Sequence, residues 1–208
     1  MIFETVVVGP LEVNCYILGC EETGQGVVID PGADPHKILP AITGHGLKIV
    51  HVLNTHGHFD HVGGNRAVME ATGADLLIHE ADVPYLSHAV KTAASYGLQS
   101  ENSPLPGGYL LDGMVIPVGS YELKVLHTPG HTPGGCCLYG SGIVITGDTL
   151  FAESIGRTDF PGGSHETLIK SIRDKLLNLP DDIIVYPGHG PSSTIGRERM
   201  HNPYLANR

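Results

Sequence analysis

Four strong metal-ligating side chains fall within six residues in the stretch Thr55-His56-Gly57-His58-Phe59-Asp60-His61, directly after the apolar run Leu47 to Leu53. That run reads as a buried strand. Residues two apart do not share a helix face, so His56 and His58 can converge only from a loop or turn at the strand end. They can hold one ion through imidazole nitrogen, while Asp60 and His61 face the other way round the turn and can hold a second. Two divalent ions take about eight contacts, fewer if water completes the shells. The remaining ligands must come from elsewhere in the chain.

Three later polar residues each stand just past a strand-like run, beside glycine. They are His131 in Thr128-Pro129-Gly130-His131-Thr132-Pro133-Gly134-Gly135, Asp148 in Gly147-Asp148-Thr149, and His189 in Pro187-Gly188-His189-Gly190. Each alone could be a turn residue. Joined to the first stretch they make five histidines and two aspartates at strand ends, a donor set that accepts zinc, iron or manganese. The other eight of the thirteen histidines lack such a setting and read as solvated or hydrogen-bonded side chains. Among those, His127 lies near His131 and is a candidate to support it.

Between these points the chain alternates short elements. Ile2 to Val8, Asn14 to Gly19 and Gly26 to Asp30 read as an antiparallel meander ended by Asp30-Pro31-Gly32, with a helix from His36 to Thr43 behind Pro35. A helix over Val62 to Ala71, with Val62 and Met69 inward, and a strand over Ala74 to His79 complete a βαβ step. Residues 82 to 108, helical at first and then rich in Ser, Pro and Gly, read as an excursion bordering a substrate cleft. Tyr109 to Val118 and Tyr121 to His127 then read as paired strands, and Cys136 to Tyr139 with Ile143 to Thr146 as a hairpin. Ser164 caps a helix through Leu177, Ile183 to Tyr186 is the last strand, and Ile195 to Met200 the last helix.

The length of 208 residues and the 41% hydrophobic content suit one domain, 1–208, with a substantial core. With 12 Lys+Arg against 22 Asp+Glu the formal charge is -10, which excludes nucleic-acid backbone binding as the main business. No apolar run approaches a membrane span and the start has no basic leader, so a cytoplasmic protein without a membrane partner is expected. Cys15, Cys20, Cys136 and Cys137 have no C-x-x-C spacing and read as buried reduced thiols. Oligomeric state is not legible at this level.

The series His-x-His-x-Asp-His, then His, then Asp, then His, resembles the metallo-β-lactamase superfamily over nearly the whole chain. The resemblance implies an α/β fold, a four-layer αββα sandwich with the site at one edge. It assigns His56, His58 and His131 to one metal, Asp60, His61 and His189 to another, and Asp148 as a bridge. Asp148 stands where many β-lactamases carry Cys, which points away from antibiotic hydrolysis. Within the superfamily, Asn14-Cys15-Tyr16, Asp60-His61-Val62-Gly63-Gly64-Asn65 and Gly147-Asp148-Thr149-Leu150-Phe151 are similar to glyoxalase II, the hydroxyacylglutathione hydrolases, in their short bacterial form.

That similarity implies hydrolysis of a small-molecule thioester such as S-lactoylglutathione, with two divalent ions, zinc first, activating water between them. Asp60 would orient the attacking oxygen. Arg157 would pair with a substrate carboxylate, or else form a structural pair with Asp159 or Glu153. The segment Gly156-Arg157-Thr158-Asp159-Phe160 also resembles persulfide dioxygenases, which use one iron at positions matching His56, His131 and Asp148. A lactonase would share all seven ligands. A zinc-stabilised binding protein would favour closed, Cys-rich shells instead.

Overall fold

The structure is a computed structural model and describes residues 1–205. Neighbouring side chains of one strand enter different cores, as a strand covered on both faces requires. Strand β1 (Ile2–Val8) pairs antiparallel with β2 (Val13–Gly19), which pairs antiparallel with β3 (Gln25–Ile29). Parallel pairings then add β4 (Lys48–Leu53), β5 (Asp75–Ile78) and β6 (Gly108–Tyr109), completing a six-stranded sheet. In β2, Cys15 and Ile17 enter the outer core while Tyr16 and Leu18 enter the inner one. Every residue of that strand is buried for this reason.

The second sheet holds β7 (Val115–Val118), β8 (Tyr121–His127), β9 (Cys136–Gly140) and β10 (Ile143–Gly147). A separate two-stranded ribbon, β11 (Leu150–Phe151) with β12 (Ser154–Ile155), follows. Strands β13 (Ile184–Pro187) and β14 (Ser193–Thr194) then return to the sheet, whose order is β7-β8-β9-β10-β13-β14. Leu18, Val27, Ile29 and Leu53 of the first sheet meet Val118, Leu123, Leu138 and Ile145 of the second in the inner core.

Helices α1 (Pro35–Gly44), α2 (Phe59–Val62) and α3 (Asn65–Thr72) follow the first sheet's strands, with Ile38, Ile42 and Val68 sealing its outer face. Helices α4 (Val83–Leu86) and α5 (Ala89–Ser95) form the excursion. Helix α6 (His165–Ser171), a π-helical turn over Ile172–Leu176 and α7 (Ile195–His201) cover the second sheet through Leu168, Ile172, Leu176 and Ile195. The order of layers is the expected αββα sandwich. Ser164 does cap α6, its Oγ accepting from the Thr167 N–H at 3.3 Å, a contact worth about 1 kcal/mol.

Three expectations need correction. The strand over Tyr109 to Val118 is two strands, β6 and β7, in different sheets, because the Asp112-Gly113 turn separates them and the chain changes layer there. The helix expected over Val62 to Ala71 starts earlier, at Phe59, and breaks at Gly63-Gly64, where the Gly64 N–H donates to Pro31 O at 2.7 Å. Asp60 and His61 thus sit on a one-turn helix, and Val68, fully buried, points further inward than Met69. The helix ending at Leu177 finishes as a π turn. All four cysteines are buried and unbridged, and no helix among the described residues is long and apolar enough to cross a membrane.

Candidate metal centre

Parallel strands β3, β4 and β5 end at one edge of the sandwich, the edge where β10 and β13 also end, so their following loops meet there. The structure brings all seven candidate ligands to this edge. His56, His58 and His131 form one group and Asp60, His61 and His189 another, each with its donor atoms within 4.8 Å of one another. In the first group, His58 Nδ1 lies 3.1 Å from His56 Nε2 and 2.9 Å from His131 Nε2. In the second, His189 Nε2 lies 3.4 Å from both His61 Nε2 and Asp60 Oδ2. Asp148 stands between them, Oδ1 at 3.4 Å from His61 Nε2 and Oδ2 at 3.6 Å from both His131 Nε2 and His189 Nε2.

Four of the five imidazoles are turned by a partner on the far nitrogen. His61 Nδ1 meets Asp30 Oδ2 at 3.0 Å. Asp30 also accepts from the Thr55 N–H at 2.8 Å and from Thr55 Oγ1 at 2.6 Å. With that hydroxyl proton committed, Thr55 Oγ1 accepts from His56 Nδ1 at 3.1 Å. Asp30 therefore steers two imidazoles, one directly and one through Thr55. His131 Nδ1 donates to the Arg157 carbonyl at 2.7 Å, and His189 Nδ1 to the Leu11 carbonyl at 2.9 Å. These contacts select the tautomers that point lone pairs inward.

The supporting loops are held from a distance. Asp82, fully buried, accepts from the Gly57 N–H at 2.9 Å, Thr132 Oγ1 at 2.7 Å and the Gly134 N–H at 2.6 Å, tying the first histidine loop to the His131 loop. Asn14 Nδ2 grips the His189 loop through the carbonyls of Pro187 and Gly190, at 3.0 and 2.9 Å. His127 supports the His131 loop without touching His131: its Nε2 meets Pro133 O at 3.0 Å while its ring stacks on His79 at 4.1 Å.

Electrostatics separate the two groups. Burial pushes the His58 pKa down to about 3 and holds His56 well below the usual imidazole range, with the neighbouring imidazoles adding to both. Burial also works against protonation of His61, but Asp148, Asp30 and Asp60 outweigh it and raise that pKa. His189 is raised in the same way by Asp60 and Asp148. Burial favours the neutral forms of Asp60 and Asp148, yet His61 and its neighbours hold both below the ordinary carboxyl range.

Asp148 Oδ1 is buried with no hydrogen-bond partner among the described residues, an arrangement that needs an explanation in a folded protein. A Cβ on residue 188 would sit 2.3 Å from that oxygen and 2.7 Å from His61 Cε1, so glycine there keeps the space beside the carboxylate open. Converging imidazole lone pairs, two carboxylates and an orphaned oxygen fit a pair of divalent cations. The third potential ligand group, Asp30 with His56 and His61, reads as support, because the Asp30 oxygens are already spent on Thr55 and His61.

In front of the ligands lies a cleft of about 730 Å³, walled by Phe59, Tyr85, Tyr96, Phe151 and Phe160. Its outer wall includes α5, as expected of the 82 to 108 excursion. Arg157 stands at the rim, 62% exposed, with Nε and Nη2 on the two Asp159 oxygens at 3.0 and 2.8 Å and its guanidinium 4.3 Å from the Phe160 ring centre. The structural pairing with Asp159 is thus the one present. The supports Asp30, Asp82 and the Arg157 carbonyl were not identified from the sequence. Asp30 did carry a signal, standing with Pro-Gly at a strand end like the ligands themselves.

The chain is similar to known proteins over nearly its whole length. A family model described as "Metallo-beta-lactamase superfamily" matches residues 8–189. A Haemophilus influenzae protein named hydroxyacylglutathione hydrolase GloC is 37% identical, covering 99% of this chain and 98% of its own. A crystal structure described as BLEG-1 B3 metallo-beta-lactamase superposes with a TM-score of 0.92 at 34% identity, covering 99% of this chain and 100% of that one. A chain crystallised in a di-iron-bound form, TTHA1623, gives a TM-score of 0.89 at 39% identity, with 97% and 100% covered.

Proposed function

The chain belongs to the metallo-beta-lactamase superfamily, and from that premise we propose that this single domain is a dinuclear metallohydrolase cleaving a thioester, such as S-lactoylglutathione, to a hydroxy acid and a thiol in the cytoplasm. The observation that carries the reading is the pair of three-residue ligand groups sharing Asp148. His56, His58 and His131 would hold one divalent ion and Asp60, His61 and His189 the other, with Asp148 touching both. Zinc suits these donors, and the di-iron relative makes iron a direct competitor. Two such ions supply Lewis acidity and lower the pKa of bound water from about 15.7 toward about 7.

The chain's own residues do the rest. Asp60, kept ionised by His61 and His189, can accept a hydrogen bond from the attacking water and hold it in line with the scissile carbonyl. Asp30 and Thr55 keep His61 and His56 in their ligating orientation. The aromatic walls shield the reacting bond from bulk solvent, which strengthens every charge interaction inside. Arg157 has its Nε and Nη2 edge and its charge matched by Asp159, which leaves only its Nη1 edge for a substrate carboxylate.

β-Lactam opening is a second acyl-transfer reading, favoured by the similarity to the B3 enzyme. A one-iron dioxygenase would leave His58, Asp60, His61 and His189 without a role. The test is turnover of metal-replete protein on S-lactoylglutathione, a chromogenic cephalosporin, and glutathione persulfide with oxygen monitored, alongside metal analysis. Thioester cleavage with two ions per chain is expected. Oxygen consumption with one iron, or cephalosporin opening alone, overturns the proposal.

A further inference from the structure

The metal cleft does not end at its aromatic walls. Tyr85, Thr92 and Ser95 line it on one side and, on the other, a second groove of about 410 Å³ that runs on over Pro84, His88 and Lys91. His88, Lys91, Thr92 and Ser95 follow the spacing i, i+3, i+4, i+7, so the cap residue and one face of α5 line the second groove, and Thr92 and Ser95 of that face line the metal cleft as well. The opposite face is held in place by Ala89 and Ala93, both buried. The polar stripe of this short helix is turned along the groove while Ala89 and Ala93 pack inward.

Charge distinguishes the two ends of the path. At the near end, the Arg157 guanidinium is matched by both Asp159 oxygens and covered on one side by Phe160. At the far end, Lys91 forms no ion pair among the described residues; Lys48 and Lys124 are likewise unpaired but line neither the groove nor the cleft, while Lys37, Lys170 and Lys175 each have an acidic partner. His88 fixes its Nδ1 on Pro84 O at 2.7 Å, leaving its other nitrogen for the groove. On a chain of formal charge -10, an acidic substrate is repelled by the surface at large. A free ammonium at the end of the groove offers such a substrate one attractive point.

We infer that the substrate is an extended acid, with the scissile carbonyl at the metals and an anionic group remote from it held by Lys91, which makes Lys91 the specificity-determining cation in place of Arg157. The inference rests on the acyl hydrolase reading above and names the substrate class for that same cleft.

Its test uses a binding arm and a turnover arm. The first measures, by calorimetry on metal-replete protein, binding of S-hexylglutathione, a thioether that cannot be hydrolysed, against its diethyl ester. The second compares kcat/KM for S-lactoylglutathione and its ethyl ester, with acetyl-coenzyme A against S-acetylpantetheine as the phosphate counterpart. The wild type should favour the charged member of whichever pair carries the matching anion. Lys91→Ala should lower that preference about five-fold through KM, Lys91→Glu should reverse it, and Arg157→Ala should leave it in place. Discrimination in binding without thioester turnover would sink the proposed activity and leave the Lys91 assignment standing. No preference for the charged member of any pair in the wild type, or a preference that survives Lys91→Glu or disappears with Arg157→Ala, overturns the assignment.

Discussion

The two sheets contribute to the centre in different ways. The first supplies His56, His58, Asp60 and His61 from one loop and a single helical turn, and orients two of these imidazoles with one side chain, Asp30. The second supplies His131, Asp148 and His189 from three separate loops, and its two imidazoles are turned by backbone carbonyls, that of Arg157 and that of Leu11 in the turn between β1 and β2 of the first sheet. A carboxylate that orients a histidine can be removed by mutation, and it raises the basicity of its partner. A carbonyl does neither so readily. The first half of the centre is thus exposed to single side-chain changes, whereas the second depends on where whole loops lie.

The change with the largest expected effect lies between the halves. Asp148→Ala removes what is, among the described residues, the only carboxylate within 3.6 Å of histidines from both groups, so activity should be lost together with at least one ion per chain by metal analysis. Retention of two ions and wild-type turnover would mean that the halves work independently.

Asp30→Asn should come next, lowering metal affinity or kcat about 10- to 100-fold, because it disturbs His61 directly and His56 through Thr55. Chelator competition reads this. An equal loss of affinity from Arg157→Ala would erase the distinction between side-chain and carbonyl support.

Asp82 links the halves, and Asp82→Asn leaves at least one of its three donors unmatched, at about 1–3 kcal/mol in denaturant unfolding. Burial raises the Asp82 pKa above the ordinary carboxyl range, against donation from Thr132, Gly57 and Gly134. The folded chain then binds this proton more readily than the unfolded one. Its contribution to stability is complete below the unfolded pKa and is lost as pH rises through the folded pKa. The gap between wild type and Asp82→Asn should be widest in acid, below the ordinary carboxyl pKa of about 4, and narrow as pH rises above it. A gap that widens instead would mean that the three donors outweigh burial.

The smallest effect belongs to Arg157→Ala. His131 keeps its carbonyl partner, so metal content should not change, and KM should move less than about three-fold because the lost pair with Asp159 is exposed.

The residues of the centre were legible because their chemistry is local. His56-Gly57-His58-Phe59-Asp60-His61 and the glycine-flanked His131, Asp148 and His189 announce ligands at strand ends in any fold that brings those ends together. The alternation of strands and helices, with the family resemblance, was enough to expect the αββα layering. Hydrophobic runs did not show where the chain changes sheet: Tyr109 to Val118 is apolar throughout most of its length, and only the pairing partners of β6 and β7 reveal that it crosses between layers.

Tertiary structure alone decided which groups stand behind the ligands. Asp30 lies 31 residues from His61, Asp82 lies 52 from Gly134, and Leu11 lies 178 from His189. Two of the supports are backbone carbonyls, which every residue carries and no sequence pattern marks. The state of Arg157 was undecided for a different reason: its partner Asp159 is only two residues away, but a guanidinium can serve a substrate or a neighbour equally well, and only the fold showed both Asp159 oxygens within 3.0 Å of it. Ligand identity follows from side-chain chemistry written locally in the chain. Orientation, charge state and reach follow from long-range packing, which sequence spacing does not encode.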